Sequence, residues 1–270
     1  MYLNQTGEIP FYQFEKLKNQ TGVLHFASTR HGGTSTGDCG TLNMDFTEDD
    51  SIENILENRN RMAISVGFNP DAYVFSEQVH GDNVVIINNI MKGSGLLNKE
   101  SHIPSADAMI TNEPGICLIT KTADCVPIVL YDPVKRVIAS IHTGWRGTML
   151  RIAAKTVEVM LGKFNCKPKD IIAGIGPSIG ACCYEVGDDV INTVQQTFGN
   201  TDNFLKAIEG KEKRHLDLWY TNRYILENIG LLPDNIEVAE LCTSCNTDFF
   251  SWRRDGKTTG RLATGIILNE

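Results

Sequence analysis

The sequence predicts an α/β fold in which a mixed β-sheet core is covered by helices in layers, and not a Rossmann fold. Short β-branched stretches outnumber the helical ones, and few neighbouring strands are separated by a helix. The chain also lacks a Gly-x-Gly-x-x-Gly segment after a strand and a Walker A sequence. With 270 residues, 41% hydrophobic and 21% charged, the composition is that of a globular protein and excludes disorder, collagen and coiled coil.

We expect a single domain over residues 1–270, because no repeat, low-complexity tract or linker interrupts the pattern. The net charge of -8 argues against nucleic acid as a partner. The N-terminal residues do not resemble a signal peptide, and the apolar runs are too short to span a bilayer. These observations predict a cytoplasmic protein without a membrane partner, and a mostly acidic surface is compatible with a monomer.

Four segments carry apolar residues at helical spacing. Asp50 and Glu53 resemble a capping box at the start of the first, and Gly67 is a stop at its end. Gly162 and Gly230 are the expected stops of the second and the fourth. The predicted helices are 50–66, 148–161, 188–198 and 217–229.

Nine short segments rich in β-branched residues and bounded by turn residues are predicted strands. They are 22–28, 73–79, 84–88, 108–111, 116–121, 126–131, 137–142, 171–175 and 236–241.

The hairpin formed by strands 126–131 and 137–142 is the most informative segment. If residues 132–135 are a four-residue turn, Cys125 lies opposite His142 at the open end. Opposed side chains have Cβ atoms about 4.5–5.5 Å apart on one face, whereas a slip of one residue would separate the faces. The pair suits two ligands of one metal and equally a Cys–His nucleophile pair. Pro127 predicts an edge or irregular strand.

His80 is a third candidate ligand, since it lies where a strand gives way to a Gly-Asp turn. Two imidazoles and a thiolate are a common zinc set, and three protein ligands leave a fourth position for water or substrate. Simple packing of these residues is the alternative.

The segment Gly144-Trp-Arg-Gly147 leads into a predicted helix and is a candidate anion site. The guanidinium of Arg146 would favour phosphate. A surface stack of Trp145 on Arg146 is the alternative.

The remaining cysteines predict no further chemistry. Cys242-Thr-Ser-Cys245 has the spacing of zinc ribbons and redox motifs, but no second pair follows at zinc-ribbon distance. Cys182 and Cys183 are neighbours, which seldom bridge to each other. Three others are predicted to be packing or surface thiols, namely Cys39, Cys117 and Cys166.

A set of motifs in a fixed order resembles a known family. They are Ser28-Thr-Arg-His-Gly-Gly-Thr-Ser35, Leu42-Asn-Met-Asp45, Asn58-Arg59, Glu77-Gln-Val-His-Gly81, Ala106-Asp-Ala108, Thr122-Ala-Asp-Cys-Val-Pro127, His142-Thr-Gly-Trp-Arg-Gly147, Gly176-Pro-Ser-Ile-Gly180, Tyr184-Glu-Val186, Phe250-Ser-Trp-Arg-Arg-Asp-Gly256 and Thr259-Gly-Arg261. Over nearly the whole chain the sequence resembles the laccase-domain family, also called polyphenol oxidase or YfiH-type purine nucleoside phosphorylase. Trp252, where the family often has Tyr, and an extra residue before Thr259 are small departures.

The resemblance implies an α/β fold similar to the catalytic domain of a bacterial deamidating toxin. It implies a zinc held by His80, Cys125 and His142, with copper as an alternative metal because copper outcompetes zinc at most N/S sites. It also implies phosphorolysis of adenosine, inosine, guanosine and methylthioadenosine, so that purine nucleoside and phosphate are the partners. Adenosine deamination is implied as a second activity.

Phosphorolysis needs an anion site, and deamination needs an activated water, which suggests roles for further residues. We assign anion and substrate contacts to Arg30, Arg59 and Arg146, each with a structural ion pair as its alternative. Three more are assigned to substrate binding, Asn43 and Gln78 by hydrogen bonds and Tyr184 by stacking. Asp124 or Glu185 is the candidate proton shuttle.

Two other activities stay open. A copper-dependent polyphenol oxidase ranks second, because the six histidines contain no His-x-His pair and cannot serve a copper cluster. A metal-free hydrolase or deamidase would use Cys125 as the nucleophile and His142 as the base.

Overall fold

The computed structural model describes residues 1–269. The strands are β1 (Tyr2–Asn4), β2 (Phe11–Gln13), β3 (Val23–Ser28), β4 (Tyr73–Phe75), β5 (Val84–Ile86), β6 (Ala108–Thr111), β7 (Cys117–Thr122), β8 (Val126–Asp132), β9 (Val137–Thr143), β10 (Ile172–Ile175), β11 (Leu205–Ala207), β12 (Arg214–Leu216), β13 (Ile236–Val238) and β14 (Leu262–Leu268). The helices are α1 (Glu15–Lys18), α2 (Ile52–Val66), α3 (Trp145–Met149), α4 (Ile152–Phe164), α5 (Asp188–Phe198), α6 (Leu218–Asn228) and α7 (Trp252–Asp255).

The strands form two six-stranded mixed sheets and one small hairpin. The first sheet has the order β1-β2-β3-β14-β7-β4, and the second has the order β13-β10-β8-β9-β6-β5. Parallel pairs such as β4 with β7 occur beside antiparallel pairs such as β8 with β9. The predicted mixed α/β architecture is confirmed, and the order is not that of a Rossmann sheet.

The two sheets pack face to face, with β7 and β14 of the first against β8 and β9 of the second. Alternation along each strand explains the layers. On β8, Ile128 and Leu130 face the helices that cover the second sheet, whereas Val129 and Tyr131 face the first sheet. On the far side of the first sheet, Met62 of α2 belongs to the core that covers it. The result is a helix–sheet–sheet–helix arrangement, within which no described helix combines the length and apolar character needed to cross a bilayer.

The predicted helices occur with corrected ends. Helix α2 is capped by Ser51, whose side chain accepts from the N–H of Asn54, and not by Asp50; its end at Gly67 is as predicted. The predicted helix 148–161 is two helices, since Arg151 takes a left-handed conformation (φ 58°) between α3 and α4. Gly162 lies inside α4, and Asn165 in the left-handed region ends it. Helices α5 and α6 match their predictions.

All nine predicted strands occur, but five strands were not predicted, namely β1, β2, β11, β12 and β14. Of these, β14 lies between β3 and β7 in the first sheet. Gly265 in its middle weakens the strand pattern. A Cβ at this position would lie 2.5 Å from Phe26 and 2.6 Å from Ile119, so the close approach of neighbouring side chains requires glycine.

The register of the β8–β9 hairpin differs from the prediction by two residues. Asp132 pairs with Val137, so that His142 pairs with Pro127 and Cys125 precedes the strand. The turn shifts because the Asp132 carboxylate accepts the N–H groups of Val134 and Lys135, both at 2.9 Å. A slip of two residues keeps Cys125 and His142 on the same face.

The expectation of an edge or irregular strand at Pro127 is wrong, since β8 lies between β9 and β10. His142 donates its N–H to the carbonyl of Asp107, away from β8. Pro127 therefore sits in a non-hydrogen-bonded pair and removes no bond to β9.

Candidate metal centre and pocket

His80, Cys125 and His142 meet at one end of the space between the two sheets. Cys125 immediately precedes β8, His142 lies near the end of β9, and His80 lies in the loop after β4. Their ligand atoms all lie within 4.8 Å of one another. His80 has a left-handed backbone (φ 60°), which is uncommon for a non-glycine residue and typical of functional sites.

The three side chains fit a tetrahedral metal. The Cys125 Sγ lies 3.7 Å from the His80 Nε2, close to the roughly 3.6 Å separation that Zn–S and Zn–N bonds at tetrahedral angles produce. The rings of His80 and His142 meet edge to face with centroids 4.8 Å apart. Two imidazoles and a thiolate therefore converge on one point, and three protein ligands leave a position open.

Asp107 holds two of these ligands in place. Its carboxylate lies 2.8 Å from the His142 Nδ1, and it accepts the N–H groups of Val79, His80 and Gly81. Residue 107 precedes β6, which pairs with β9, so the sheet itself brings this carboxylate beside His142. A histidine ligand usually donates its second ring N–H to such a carboxylate, which turns the other nitrogen toward the metal.

The charges of the trio favour a thiolate beside an imidazolium. Burial would raise the pKa of Cys125, but the charge of His142 and hydrogen bonds from His142 and His80 lower it to about 6. Burial would lower the pKa of His142, but the charge of Cys125 and the hydrogen bond to Asp107 raise it to about 9. Because a metal needs the neutral imidazole, binding releases the His142 proton.

A cavity of about 580 Å³ opens onto the trio, a volume within the roughly 300–1,000 Å³ range of small-molecule sites. Its polar lining includes the predicted residues Gln78, Asp124, Arg146 and Tyr184. Further lining residues include Asp45, Lys121, Ile179, Leu218, Trp252, Arg253 and Arg261. Cations, aromatic rings and apolar side chains thus surround one space.

Arg146 is one of two exposed arginines that line the cavity, the other being Arg253. The Arg146 guanidinium lies 4.7 Å from the ring of Trp145, which is the stack considered as the alternative to an anion site, and within residues 1–269 this guanidinium donates no hydrogen bond. The guanidinium of Arg253 instead donates to the carbonyls of Cys183 and Glu185 and lies 5.3 Å from the ring of Tyr184. Arg146 therefore keeps its donors for a ligand.

Arg59 and Arg30 lie outside the cavity lining within residues 1–269, so their assignment to substrate is corrected. Arg59 is fully buried, and its guanidinium donates to the carbonyls of Met44, Gly95 and Leu96. The Arg30 Nε donates to the carbonyl of Gly40. Both guanidinium groups support loops.

Asn43 and Glu185 also fall outside the described lining of the cavity. The buried amide of Asn43 donates to the carbonyl of Asp45 and accepts the N–H of Arg261, so it orients two lining residues. The Glu185 carboxylate pairs with Lys213 at 3.0 Å. Within residues 1–269 neither side chain belongs to the cavity lining, and both have protein partners.

Asp124 and Gln78 line the cavity but have local partners. The two oxygens of Asp124 accept from the hydroxyl of Thr243 and the N–H of Arg253, both at 2.6 Å. The Gln78 amide pairs with the backbone of Lys121 in both directions at 2.8 Å. Both side chains therefore position the wall of the cavity.

Sequence reasoning assigned no role to Asp107, Lys121 or Arg261. Asp107 belongs to the motif Ala106-Asp-Ala108, which supports the family resemblance but indicates no role for the carboxylate. The Lys121 ammonium is buried and lies 2.9 Å from the Asp45 carboxylate, an ion pair between residues far apart in sequence. Only the pairing of β7 in the first sheet brings them together, so no spacing could have indicated it.

A two-sheet α/β fold with a His/Cys pocket at the end of its sheets defines the class of this protein. The chain belongs to the family described as "Multi-copper polyphenol oxidoreductase laccase", whose model matches residues 24–269. This confirms the family that the sequence motifs resemble.

Relatives and a solved structure agree with this assignment. The chain is 33% identical over 258 residues to "Purine nucleoside phosphorylase" of Bacteroides thetaiotaomicron, covering 95% of this chain and 96% of the relative. It is 34% identical over 259 residues to "Adenosine deaminase RL5" of an unknown prokaryotic organism, covering 94% and 98%. The crystal structure of Bacillus licheniformis hypothetical protein YfiH superposes with a TM-score of 0.92 at 32% identity, covering 99% of each chain.

Proposed function

We propose that the protein is a zinc-dependent purine nucleoside phosphorylase that cleaves adenosine, inosine, guanosine and methylthioadenosine with phosphate, and that it also deaminates adenosine. The observation that carries this proposal is the convergence of His80, Cys125 and His142 on a cavity that also holds the Arg146 guanidinium, which donates no hydrogen bond within residues 1–269. The names of the relatives support the choice of reaction.

The residues of the cavity suit the parts of a nucleoside and of phosphate. Arg146 has free donors for phosphate oxygens. Tyr184 and Trp252 offer aromatic faces, and Ile179 and Leu218 offer apolar contacts, for a purine. Asp107 holds the proton on the His142 Nδ1, so that the Nε2 is available as a ligand.

Zinc is the metal we propose, because two imidazoles, one thiolate and an open position are typical of catalytic zinc. When bound, it supplies Lewis-acid activation of a water or a substrate oxygen. Copper stays the alternative metal, since it binds N/S donors more tightly.

The test is phosphate-dependent release of hypoxanthine from inosine by metal-replete protein. We expect release by the wild type and loss in His142→Ala, with His31→Ala, which removes an exposed imidazole outside the cavity lining, as the control. Absence of release by the metal-replete wild type would reject the proposal.

The phosphate site has its own prediction. We expect Arg146→Gln to raise the KM for phosphate about 10- to 100-fold, because a charge-assisted hydrogen bond contributes about 1.5–3 kcal/mol. Arg61→Gln, which removes an exposed guanidinium paired with Glu57 on α2, is the control. An unchanged KM in Arg146→Gln would place the phosphate elsewhere.

A metal-free hydrolase or deamidase is a second candidate, because Cys125, His142 and Asp107 also form a Cys–His–Asp arrangement. The lowered pKa of Cys125 and the raised pKa of His142 suit a nucleophile and its base. Stoichiometric zinc, with a Cys125 thiol that resists alkylation until a chelator is added, would exclude this candidate.

A copper oxidase is the candidate that the family description suggests. Among the described residues, one group able to hold a metal contains histidine, and it has two imidazoles. Oxygen uptake with phenols that scales with bound copper would support this candidate, and its absence from copper-loaded protein would reject it.

A further inference from the structure

A second group of metal-binding side chains lies apart from the trio. The Sγ atoms of Cys182, Cys183, Cys242 and Cys245 all lie within 4.8 Å of one another. No second cysteine pair follows Cys242 and Cys245 in the sequence, but a pair precedes them by some sixty positions, and the parallel bridge between Ser178 and Cys242 aligns the two loops.

The distances suit one tetrahedral metal ion. The Cys245 Sγ lies 3.4 Å from that of Cys182 and 3.2 Å from that of Cys183. Four thiolates around Zn²⁺ at bonds of about 2.3 Å have sulfurs roughly 3.8 Å apart. All four cysteines are free thiols, so every sulfur is available as a ligand.

The surrounding backbone stabilises a thiolate. The buried Cys242 Sγ accepts the N–H of Gly180 at 3.2 Å. Hydrogen bonds to an ionised acceptor are stronger than those to a neutral one, so this bond favours the charged sulfur.

Two arginines donate hydrogen bonds to the loops that carry the cluster. Arg254 donates to the carbonyls of Thr243, Ser244 and Asn246, which belong to the Cys242–Cys245 turn and its continuation, and it also pairs with the Asp255 carboxylate at 2.6 Å. Arg253 donates to the carbonyl of Cys183. A zinc with four thiolates carries a net charge of about −2, and the Arg253 guanidinium near the cluster reduces the cost of that charge.

We propose that Cys182, Cys183, Cys242 and Cys245 bind a second Zn²⁺ as a closed structural site. Soft thiolates in a tetrahedral set select zinc among the common divalent metals. The inference does not rest on the proposed function, because none of the four cysteines lines the cavity within residues 1–269.

This site would position one wall of the cavity. Tyr184 follows Cys183 directly, and the hydroxyl of Thr243, between the two other cysteines, donates to Asp124 beside the trio. A metal that joins the two loops would therefore hold Tyr184 and Asp124 in place without contact with a substrate.

Metal analysis of purified protein tests the proposal. We expect two zinc ions per chain in the wild type and one in Cys242→Ser/Cys245→Ser. Cys166→Ser, which changes a cysteine outside both groups, should retain two. A zinc content equal in the wild type and the double variant would overturn the proposal. So would an intact mass two hydrogens below the reduced value for wild type, since that identifies a disulfide pair.

Cobalt substitution covers the case in which the double variant fails to fold. In Cys125→Ala, the trio lacks its thiolate, so any intense sulfur-to-cobalt charge-transfer absorption must come from the four-cysteine site. We expect one equivalent of Co²⁺ with the absorption of a tetrahedral four-thiolate centre, displaced by Zn²⁺. Folded Cys125→Ala protein without that absorption would reject the second site, whatever the outcome of the nucleoside assay.

Discussion

Asp107 shows how much one carboxylate can organise in this protein. One oxygen faces the His142 Nδ1 and the N–H of His80, and the other accepts the N–H groups of Val79 and Gly81. Two metal ligands from separate loops therefore share one anchor. An amide in its place has a single acceptor oxygen and cannot serve both sets.

We therefore expect Asp107→Asn to weaken zinc binding about 10- to 100-fold, the usual effect of removing a partner of a histidine ligand. Competition with a chromogenic chelator measures the affinity. Asp82→Asn is the matched control, because Asp82 lies in the loop of His80 but pairs with Lys155. Equal affinity in wild type and Asp107→Asn would refute the anchoring role.

His25 predicts a pH-dependent stability. It is buried, its Nε2 accepts the N–H of Phe14 at 2.8 Å, and burial lowers its pKa to about 4 despite the charge of Glu237. Between about pH 6.5 and 4 the unfolded chain binds a proton at His25, whereas the folded protein does not. The contribution of His25 to the free energy of unfolding is therefore fully present above pH 6.5. It falls by about 3 kcal/mol toward pH 4.

Urea unfolding at pH 7 and pH 4.5 measures this effect. We expect His25→Gln to lose less stability over this range than the wild type, because its amide does not titrate. Part of the loss persists, since burial also lowers the pKa of His102 to about 4. An identical loss in variant and wild type would contradict the assignment to His25.

Residue types and local spacing carried the prediction of the trio, because Cys125 and His142 belong to one hairpin and an error of two residues preserves the face. The role of Arg59 could not be foreseen in the same way. Its partners Met44, Gly95 and Leu96 come from two distant loops, and a buried arginine bonded to carbonyls has the same sequence signature as an exposed one.

At the scale of elements, the turn from β9 into α3 packs closely against the trio of His80, Cys125 and His142. Gly144 caps α3, and a Cβ there would lie 3.1 Å from the Cys125 Sγ and 3.2 Å from the His80 Cδ2. Glycine is needed here for space, since its backbone (φ −75°) is open to other residues.

We expect Gly144→Ala to displace the ligands and weaken zinc binding about tenfold, since overpacking of about 1–3 kcal/mol falls on the trio. Gly162→Ala in α4, where a Cβ meets nothing within 4 Å, is the control and should bind zinc as the wild type does. Unchanged zinc affinity in Gly144→Ala, measured with the same chelator, would show that the loop relaxes freely.

Element positions followed from the sequence wherever the apolar pattern was regular, as in α5, α6 and β6. The break between α3 and α4 was invisible because Arg151 is no helix breaker by type, and its left-handed backbone is imposed by the packing of two helices on one sheet. The two cysteine pairs were equally hidden, since the 178–242 bridge that aligns them joins loops and not strands.

At the scale of the whole molecule, β14 completes the first sheet. It pairs with β3 on one side and with β7 on the other, and its residues Ile266 and Leu268 belong to the core between the sheets. A defect in this strand therefore affects both neighbouring strands and the core between the two sheets.

We expect Gly265→Ala to lower the free energy of unfolding by about 1–3 kcal/mol, because the methyl group would overlap Phe26 and Ile119. Urea denaturation should show a lower midpoint with an unchanged slope. Gly7→Ala, whose Cβ would lie 3.7 Å from the nearest atom, is the control. A midpoint equal to that of the wild type would show that Phe26 and Ile119 move aside at little cost in free energy.

The place of β14 also has a consequence during synthesis. Strand β3 ends at Ser28, but the partner on one of its sides ends at Leu268. At about 5–20 residues per second, roughly 10–50 s pass before that partner has been made. Throughout this interval the edge of β3 that later pairs with β14 has no partner from its own chain, so chaperones and neighbouring chains compete for it.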